Sequence, residues 1–402
     1  MRPSDDVEAE AWVLTTAEGQ ALLAEVAGVV APGPADLTRW RRSARPECVA
    51  ATLRLAEGRR RGRGKFTRAS RMWFEPTGLE QATTEAVARH KASRFALAIA
   101  PVVDLCCGIG GDTLALASEA GVGVLAVDRD AGMCRRTLWN AGVYDVADRV
   151  ASVQADAGSF PMPGGSWVHV DPDRRARGAS NRRAKRLEGY EPGLDVLHRI
   201  ARGVPAGAIK LGPASDFNEH FGGEEFEVEL VSLRGECKEA TVWFGGAVTC
   251  RRRATCLPEG VTWTDRDAPA VVAPTGPIHA WVFDPDPALG RAGLLDAFAV
   301  AHGLTRFAEG VDFLTGPILV ASPFLAAFEV IDVLPLDLKR LKHEVAVRGL
   351  GPLEVKTKGV DLRPEDVRAR LRASGGVAAT LLLAGGRGPA RAVLARREVG
   401  VL

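Results

Sequence analysis

Four aspartates recur at the ends of apolar runs: Asp104 in "VVDLCCGIGGDTLALAS", Asp128 in "LAVDRD", Asp156 in "QADAGSF" and Asp171 in "HVDPDRR". A single strand-end aspartate is often only a helix cap. Four in succession, beside a glycine turn, place carboxylates along one edge of a sheet. The turn through Gly108, Gly110 and Gly111 can hold a ligand by its backbone. A dinucleotide fingerprint would need glycine at 108, 110 and 113, and position 113 is threonine. An acid ending the first strand would also oppose a pyrophosphate. It suits a cation, and S-adenosylmethionine carries a sulfonium and an ammonium but no phosphate. Asp128 follows the glycines by about twenty residues, where a carboxylate can accept from both ribose hydroxyls. Asp156 then falls near an adenine amino group.

These residues need a sheet to line them up, and the surrounding pattern supplies one. "PVVDLC", "VGVLAV", "RVASVQAD", "SWVHVDP" and "GAIKLG" read as strands. "GGDTLALASEAG", "DAGMCRRTLWNAG" and a segment near 190–202 read as the helices between them. Alternating strands and helices predict a parallel sheet covered on both faces. "FEVELVSL" and "EATVWFGG" predict an antiparallel pair at its end. Upstream, "EGQALLAEVAGVV" and "QATTEAVARHKASRFALAIA" have helical spacing, with Thr83 or Thr84 as N-cap. Downstream, a Pro-rich stretch after Cys256 marks a boundary, followed by mixed helices and strands. The expected domains are a helical region at 1–95, a catalytic α/β domain at 96–256 and an α+β domain at 257–402.

The chain of 402 residues is long enough for two or three domains. The seven cysteines form no CxxC or Cys/His pattern, so reduced thiols and no metal are expected. No apolar run reaches the ~20 residues of a membrane span, and the start lacks a signal-peptide pattern. A cytoplasmic protein is expected. The net charge is only +2, but two runs are strongly basic. "GRRRGRGKFTRASRMWF" at 58–74 holds seven basic residues and no acid. "RRARGASNRRAKR" at 174–186 holds seven of thirteen, again with no acid. Such fields suit a polyanion; the plain alternative is a pair of solvated loops.

The segments "VVDLCCGIGGDTLALA", "VLAVDRDAGMCRRTLWNAGVYDVADRV" and "ADAGSF" resemble the class I S-adenosylmethionine-dependent methyltransferases. More narrowly, they resemble the trimethylguanosine synthase-like, cap-guanine-N2 RNA methyltransferases. "MWFEPTGLEQATTEAVARH" is similar to the aromatic segment that precedes that catalytic domain. "LPLDLKRLKHEVAVRGLGPLEVKTKGVDL" with "AATLLLAGG" is similar to a THUMP-like domain. The resemblance implies a Rossmann-like sheet. It places Asp104, Gly108, Gly110 and Asp112 around the methionine moiety, Asp128 at the ribose and Asp156 at the adenine. Amino-group methyltransferases of nucleic acid carry an acid or amide, two prolines and an aromatic after the fourth strand. Here the run is Asp171-Pro172-Asp173-Arg174, with arginine where the aromatic would be. Trp73 or Phe74 is the alternative source of a stacking ring, or else part of the core.

Methyl transfer asks mainly for alignment of nucleophile and methyl at about 3 Å. Asp171 would accept from an exocyclic amine, and Asp173 would accept the proton or pair with Arg174 or Arg175. Lys210 would contact phosphate or pair with a strand-end acid. Arg174, Arg175, Arg182, Arg183, Lys185 and Arg186 would meet RNA phosphates. The expected function is methylation of RNA, at a base amino group in tRNA or another structured RNA. The other classes are a cofactor-keeping nucleic-acid-binding module without turnover, and a small-molecule or protein methyltransferase.

Overall fold

The computed structural model describes residues 3–174 and 187–398; of residues 3–6 and of Arg174 only the backbone is described. The chain divides into two compact units. One comprises residues 1–226 and 241–248, the other 227–240 and 249–402.

The first unit begins with helices α1 (Pro3–Thr15), α2 (Ala17–Ala27), α3 (Pro34–Ser43), α4 (Pro46–Gly62), α5 (Pro76–Gln81) and α6 (Glu85–Phe95). Thr16 caps α2 by accepting from the Gly19 amide at 3.0 Å. Pro34, Pro46 and Pro76 open their helices, where a missing N–H costs nothing. Thr84 is the N-cap position of α6, while the Thr83 hydroxyl turns away to Asp112. Val13, Trp40 and Leu55 are buried together as the core of this helical layer.

The alternating region follows: β1 (Val102–Leu105), α7 (Gly111–Ser118), β2 (Val124–Asp128), α8 (Ala131–Val143), β3 (Val150–Gln154) and β4 (Val168–Val170). Next come a short antiparallel pair, β5 (Asp173–Arg174) with β6 (Tyr190–Glu191), then α9 (Leu194–Gly203), β7 (Ala206–Leu211) and α10 (Phe217–His220). The strands lie side by side in the order β7-β4-β1-β2-β3, all parallel. Every residue of β1, β4 and β7 is buried, as expected of strands covered on both faces. From β1 the chain runs outward to β2 and β3 and then returns to the other side as β4. That reversal opens a crevice at the carboxyl ends of β1 and β4. This is the Rossmann-like sheet, with a helical region before it.

The remaining elements are β8 (Phe226–Leu233), β9 (Glu236–Gly245), β10 (Arg252–Leu257) and β11 (Val261–Thr264). Arg234 and Gly235, at φ 54° and 78°, make the two-residue loop between β8 and β9. The strand β9 begins three residues before the expected "EATVWFGG". The Thr241–Gly245 part of β9 belongs to the first unit. In the second unit β10 runs parallel to β8 and antiparallel to β11. After these come β12 (Trp281–Pro285), α11 (Pro287–Arg291), α12 (Leu295–Ala301), β13 (Thr305–Arg306) and β14 (Leu314–Gly316). The chain closes with β15 (Leu325–Pro335), α13 (Leu338–Val347), β16 (Leu350–Lys358), α14 (Pro364–Leu371), β17 (Val377–Ala384) and β18 (Arg391–Arg397). These seven strands form one sheet, β13-β14-β12-β15-β18-β17-β16, and give the α+β C-terminal part. Among the described residues, no helix is long and apolar enough to cross a membrane.

Candidate active site

The glycine turn leaves β1 through three left-handed residues, Cys106, Gly108 and Gly110, at φ 60°, 56° and 89°. The two glycines serve different ends. A Cβ on Gly108 would meet nothing within 4 Å, so this position opens onto free space. A Cβ on Gly110 would press on the Thr137 side chain at 3.1 Å. Asp128 splints the turn from the next strand. Its Oδ2 accepts from the Gly108 amide at 2.9 Å, and its Oδ1 accepts from the Asp130 amide at 2.9 Å. Burial raises the Asp128 carboxyl above the ordinary carboxylate range. Asp130 caps α8 by accepting from the Gly132 amide at 2.6 Å. Thr137, on α8, donates to the Gly108 carbonyl at 2.9 Å. The turn is thus held from two sides before any ligand binds.

Beneath it lie two buried carboxylates. Asp104 is 1% exposed; it meets His169 Nδ1 at 2.7 Å and accepts from the Thr113 hydroxyl. Thr113, the residue that breaks the dinucleotide pattern, therefore has a structural task. Asp112, in the first turn of α7, accepts from the Thr83 hydroxyl at 2.7 Å and lies 3.0 Å from Lys91 Nζ. Burial alone would raise its pKa, but the Lys91 ammonium, with His169 and Lys210 beyond, holds it well below the usual carboxylate range. Both acids have their oxygens on protein groups and anchor the turn from inside.

The fourth strand end is built differently. Asp171 lies just past β4, and its amide donates to the Leu105 carbonyl at 3.1 Å, joining it to the end of β1. Its Oδ2 accepts from Lys210 Nζ at 2.6 Å, and its side chain is 28% exposed. Burial raises the Asp171 carboxyl, Lys210 opposes that rise, and the nearby Asp112 charge adds to it. Lys210, in β7, also donates to the Gln81 carbonyl at 3.2 Å. Of the two expected roles for Lys210, the structure shows the pairing with a strand-end acid. Asp173 Oδ1 accepts from Gln81 Nε2 at 2.9 Å, and its Oδ2 lies 3.9 Å from Arg129 Nη2. Arg129 in turn reaches Glu191 at 2.8 Å. Among the described residues, the arginine beside Asp173 is Arg129, just past the end of β2.

Asp104, Gly108, Gly110, Asp112, Asp128, Asp171, Asp173 and Lys210 all fall at this one edge. Asp156 follows β3 at the same edge, is exposed, and accepts from the Gly158 amide at 2.9 Å. Trp73 and Phe74 are a correction to the sequence reading. Trp73 is 4% exposed, donates from Nε1 to Glu10 at 2.6 Å, and stands edge-on to Trp139. Phe74 is 1% exposed and packs against Phe66, with Gly58 and Gly62 of α4 pressed on its ring. Both rings belong to the core, and neither offers a face to a base. The Arg174 side chain and residues Arg175, Arg182, Arg183, Lys185 and Arg186 lie outside the described residues. Sequence reasoning missed His169, Gln81 and Arg129. Gln81 sits about ninety residues before its partner Asp173, so no local pattern could flag it.

The geometry defines a class: a switch-point crevice with an open glycine, an edge of carboxylates and no glycine at position 113. Gly108 leaves room for a ligand, and the acids suit a cationic one, so the residues fit S-adenosylmethionine. Comparison with known proteins agrees. Residues 99–186 match the family described as RNA cap guanine-N2 methyltransferase, and residues 325–397 match the THUMP domain-like family. Residues 6–62 match a domain family of unknown function. An uncharacterized S-adenosylmethionine-dependent methyltransferase of Mycobacterium tuberculosis is 34% identical over 328 residues, covering 79% of this chain and 87% of the relative. The chain belongs to the S-adenosylmethionine-dependent methyltransferases, and S-adenosylmethionine is its cofactor. A solved methyltransferase candidate of Porphyromonas gingivalis W83 shares the fold, with a TM-score of 0.72, 20% identity and 99% coverage of both chains.

Proposed function

We propose that the methyl acceptor is RNA, at a base amino group in a tRNA or another structured RNA. The observation that carries this reading is the turn Asp171-Pro172-Asp173 at the switch point, continued directly by the basic stretch 174–186. The family resemblance of residues 99–186 and 325–397 supports it.

Bound S-adenosylmethionine supplies an electrophilic methyl on a cationic sulfur. The protein's own task is to hold an amine in line with it. Asp171 accepts a hydrogen bond from the amine and turns its lone pair toward the methyl. Lys210 fixes the Asp171 carboxylate, and Pro172 stiffens the turn that follows. As the N–C bond forms, the sulfur–methyl bond breaks, its electron pair stays on sulfur and neutral S-adenosylhomocysteine departs; the nitrogen becomes cationic and releases a proton, for which Asp173 is the neighbouring acceptor. Asp128 and Asp156 serve the ribose and adenine, and Asp104, Gly108, Gly110 and Asp112 shape the methionine end. Arg174, Arg175, Arg182, Arg183, Lys185 and Arg186 meet phosphates.

Tritiated methyl transfer to total RNA, followed by nucleoside mass spectrometry, tests the reading. A labelled N-methylated nucleoside is expected; label in protein or small molecules alone refutes it. Arg174 in the aromatic's place, with Trp73 and Phe74 buried, favours one second reading: a binding module without turnover. Consumption of cofactor in the presence of RNA separates the two.

A further inference from the structure

The basic run 58–74 is not part of the carboxylate edge. Its arginines rim a groove of about 1030 Å³ formed by α2, α4 and the C-terminal half of α8. The apolar part of the wall includes Val30, Leu138 and the half-buried Trp139, with Leu23 behind them and Gln20 and Ser70 beside them. Val30 is 84% exposed and Leu138 42%, so the described residues leave this apolar surface uncovered. Arg60, Arg63 and Arg71 stand at the rim, and among the described residues no acid lines the groove.

Part of this charge has a structural purpose. Arg59 donates to the Met72 and Arg71 carbonyls at 3.0 Å and pins the segment after α4; burial lowers its pKa to about 10, so it stays cationic. Basic side chains in the last turn of α4 also complement the helix dipole. Arg60 pairs with Glu57 one turn earlier on the exposed helix face, a contact of little worth. Arg63 is exposed and has no ion-pair partner among the described residues. Neither purpose accounts for the bare apolar wall beneath a rim of one sign.

We infer that this groove binds an unpaired stretch of RNA, with phosphates on Arg60, Arg63 and Arg71 and a base against Trp139. This rests on the reading of RNA as substrate. A positive groove with an aromatic platform is the general solution for single strands. A duplex keeps its bases inside and would leave Val30 and Leu138 unmatched. An acidic peptide would satisfy the arginines but brings a flat ring to Trp139 only where it holds an aromatic residue, whereas every nucleotide carries one beside its phosphate. The groove is also set apart from the reacting edge. Trp139 lies nine residues along α8 from its Asp130 cap, about 14 Å by helical rise. The groove therefore grips the RNA away from the methylated base and contributes to choice of substrate rather than to the methyl transfer.

The test is fluorescence anisotropy on the full chain, with a labelled oligouridine of about twelve nucleotides, within the usual single-strand site size, and an RNA duplex of equal length. The variants are Arg60→Glu with Arg63→Glu, and Trp139→Leu. Calorimetry with S-adenosylmethionine reports whether each variant keeps its fold and cofactor site. The charge-reversal variant should lose tenfold or more in oligouridine affinity. Its log–log salt slope should fall by about 1.4, two phosphates at about 0.7 each. Trp139→Leu should lose roughly fivefold or more, from the lost stacking, with an unchanged slope. Cofactor affinity should be unchanged in both. If the wild type binds RNA and both variants bind equally well, the groove assignment is overturned while RNA as substrate stands. The assignment falls in the same way if the variants lose only duplex binding, or if polyglutamate alone occupies the groove. A wild type with no affinity for any RNA overturns both.

Discussion

Replacing Asp171 tests the centre of the proposed chemistry. Its carboxylate accepts from Lys210 at 2.6 Å, and Lys210 is only 8% exposed. Truncating one partner of a fully buried pair costs about 3–5 kcal/mol. The Asp171 side chain is 28% exposed and Lys210 keeps the Gln81 carbonyl, so Asp171→Ala should cost less in urea unfolding, about 1–3 kcal/mol. Asp171→Asn retains one acceptor oxygen and should cost less again. The rate should respond more sharply. Loss of the group that orients the nucleophile should slow single-turnover methylation by about 10²-fold or more, some 2.7 kcal/mol of barrier. Alanine should be slower than asparagine, and cofactor affinity by calorimetry should be nearly unchanged in both. The pH profile gives an independent reading. Burial raises the Asp171 pKa, and only the ionised form accepts fully from the amine. The rate should therefore climb with pH through a pKa above the ordinary carboxylate range, and Asp171→Asn should lack that limb. The stability sign is opposite: a raised carboxyl contributes stability below its unfolded pKa, and this is lost as pH rises through the folded pKa. An Asp171→Ala enzyme that binds cofactor and methylates at the wild-type rate would refute the assigned role.

Asp128→Ala removes the splint on the Gly108 amide and the ribose acceptor together. Calorimetry should show S-adenosylmethionine binding weakened by about 1.5–3 kcal/mol, and undiminished affinity would count against it. Gly110→Val puts a Cβ at φ 89° and 3.1 Å from Thr137. It should both abolish measurable cofactor binding and lower the melting temperature, and a normal melt with normal binding would contradict the geometry. Lys91→Met strands the Asp112 charge, since both side chains are under 10% exposed. Urea unfolding at neutral pH should lose about 3–5 kcal/mol. The Asp112 pKa is depressed, so in the wild type this contribution is present above the ordinary carboxylate pKa and disappears as pH falls through the folded value. A deficit in Lys91→Met that does not shrink on acidification would show that the pair is not its cause. Replacing Arg182, Arg183, Lys185 and Arg186 by alanine should reduce the RNA salt slope by about 0.7–0.9 per lost phosphate contact; an unchanged slope makes that stretch a bystander.

The sheet and its carboxylate edge were legible in the chain because both are written locally. A buried parallel strand is an apolar run of a few residues, and its end is the first acid or glycine that follows. Asp104, Asp128, Asp156 and Asp171 could be ordered this way, and so could the left-handed turn, since Gly108 and Gly110 mark backbone that side chains avoid. The partners of those acids were not legible. Gln81 reaches Asp173, His169 reaches Asp104 and Lys91 reaches Asp112 across folded layers, and no spacing rule connects them. Trp73 and Phe74 show the limit most plainly. An aromatic residue beside a basic run reads equally as a stacking ring or as core, because residue type carries hydrophobicity but not direction. The packing of α4 and α8 against that segment decided for the core. The same packing left Val30, Leu138 and Trp139 lining a groove rimmed by arginine, a surface that exists only once α2, α4 and α8 have met. Local periodicity and punctuation thus determined the strands, the turn and the acids at its edge. Which carboxylates are buried and paired, and which face is left open, depends on contacts between residues far apart in sequence, and those only the tertiary structure decided.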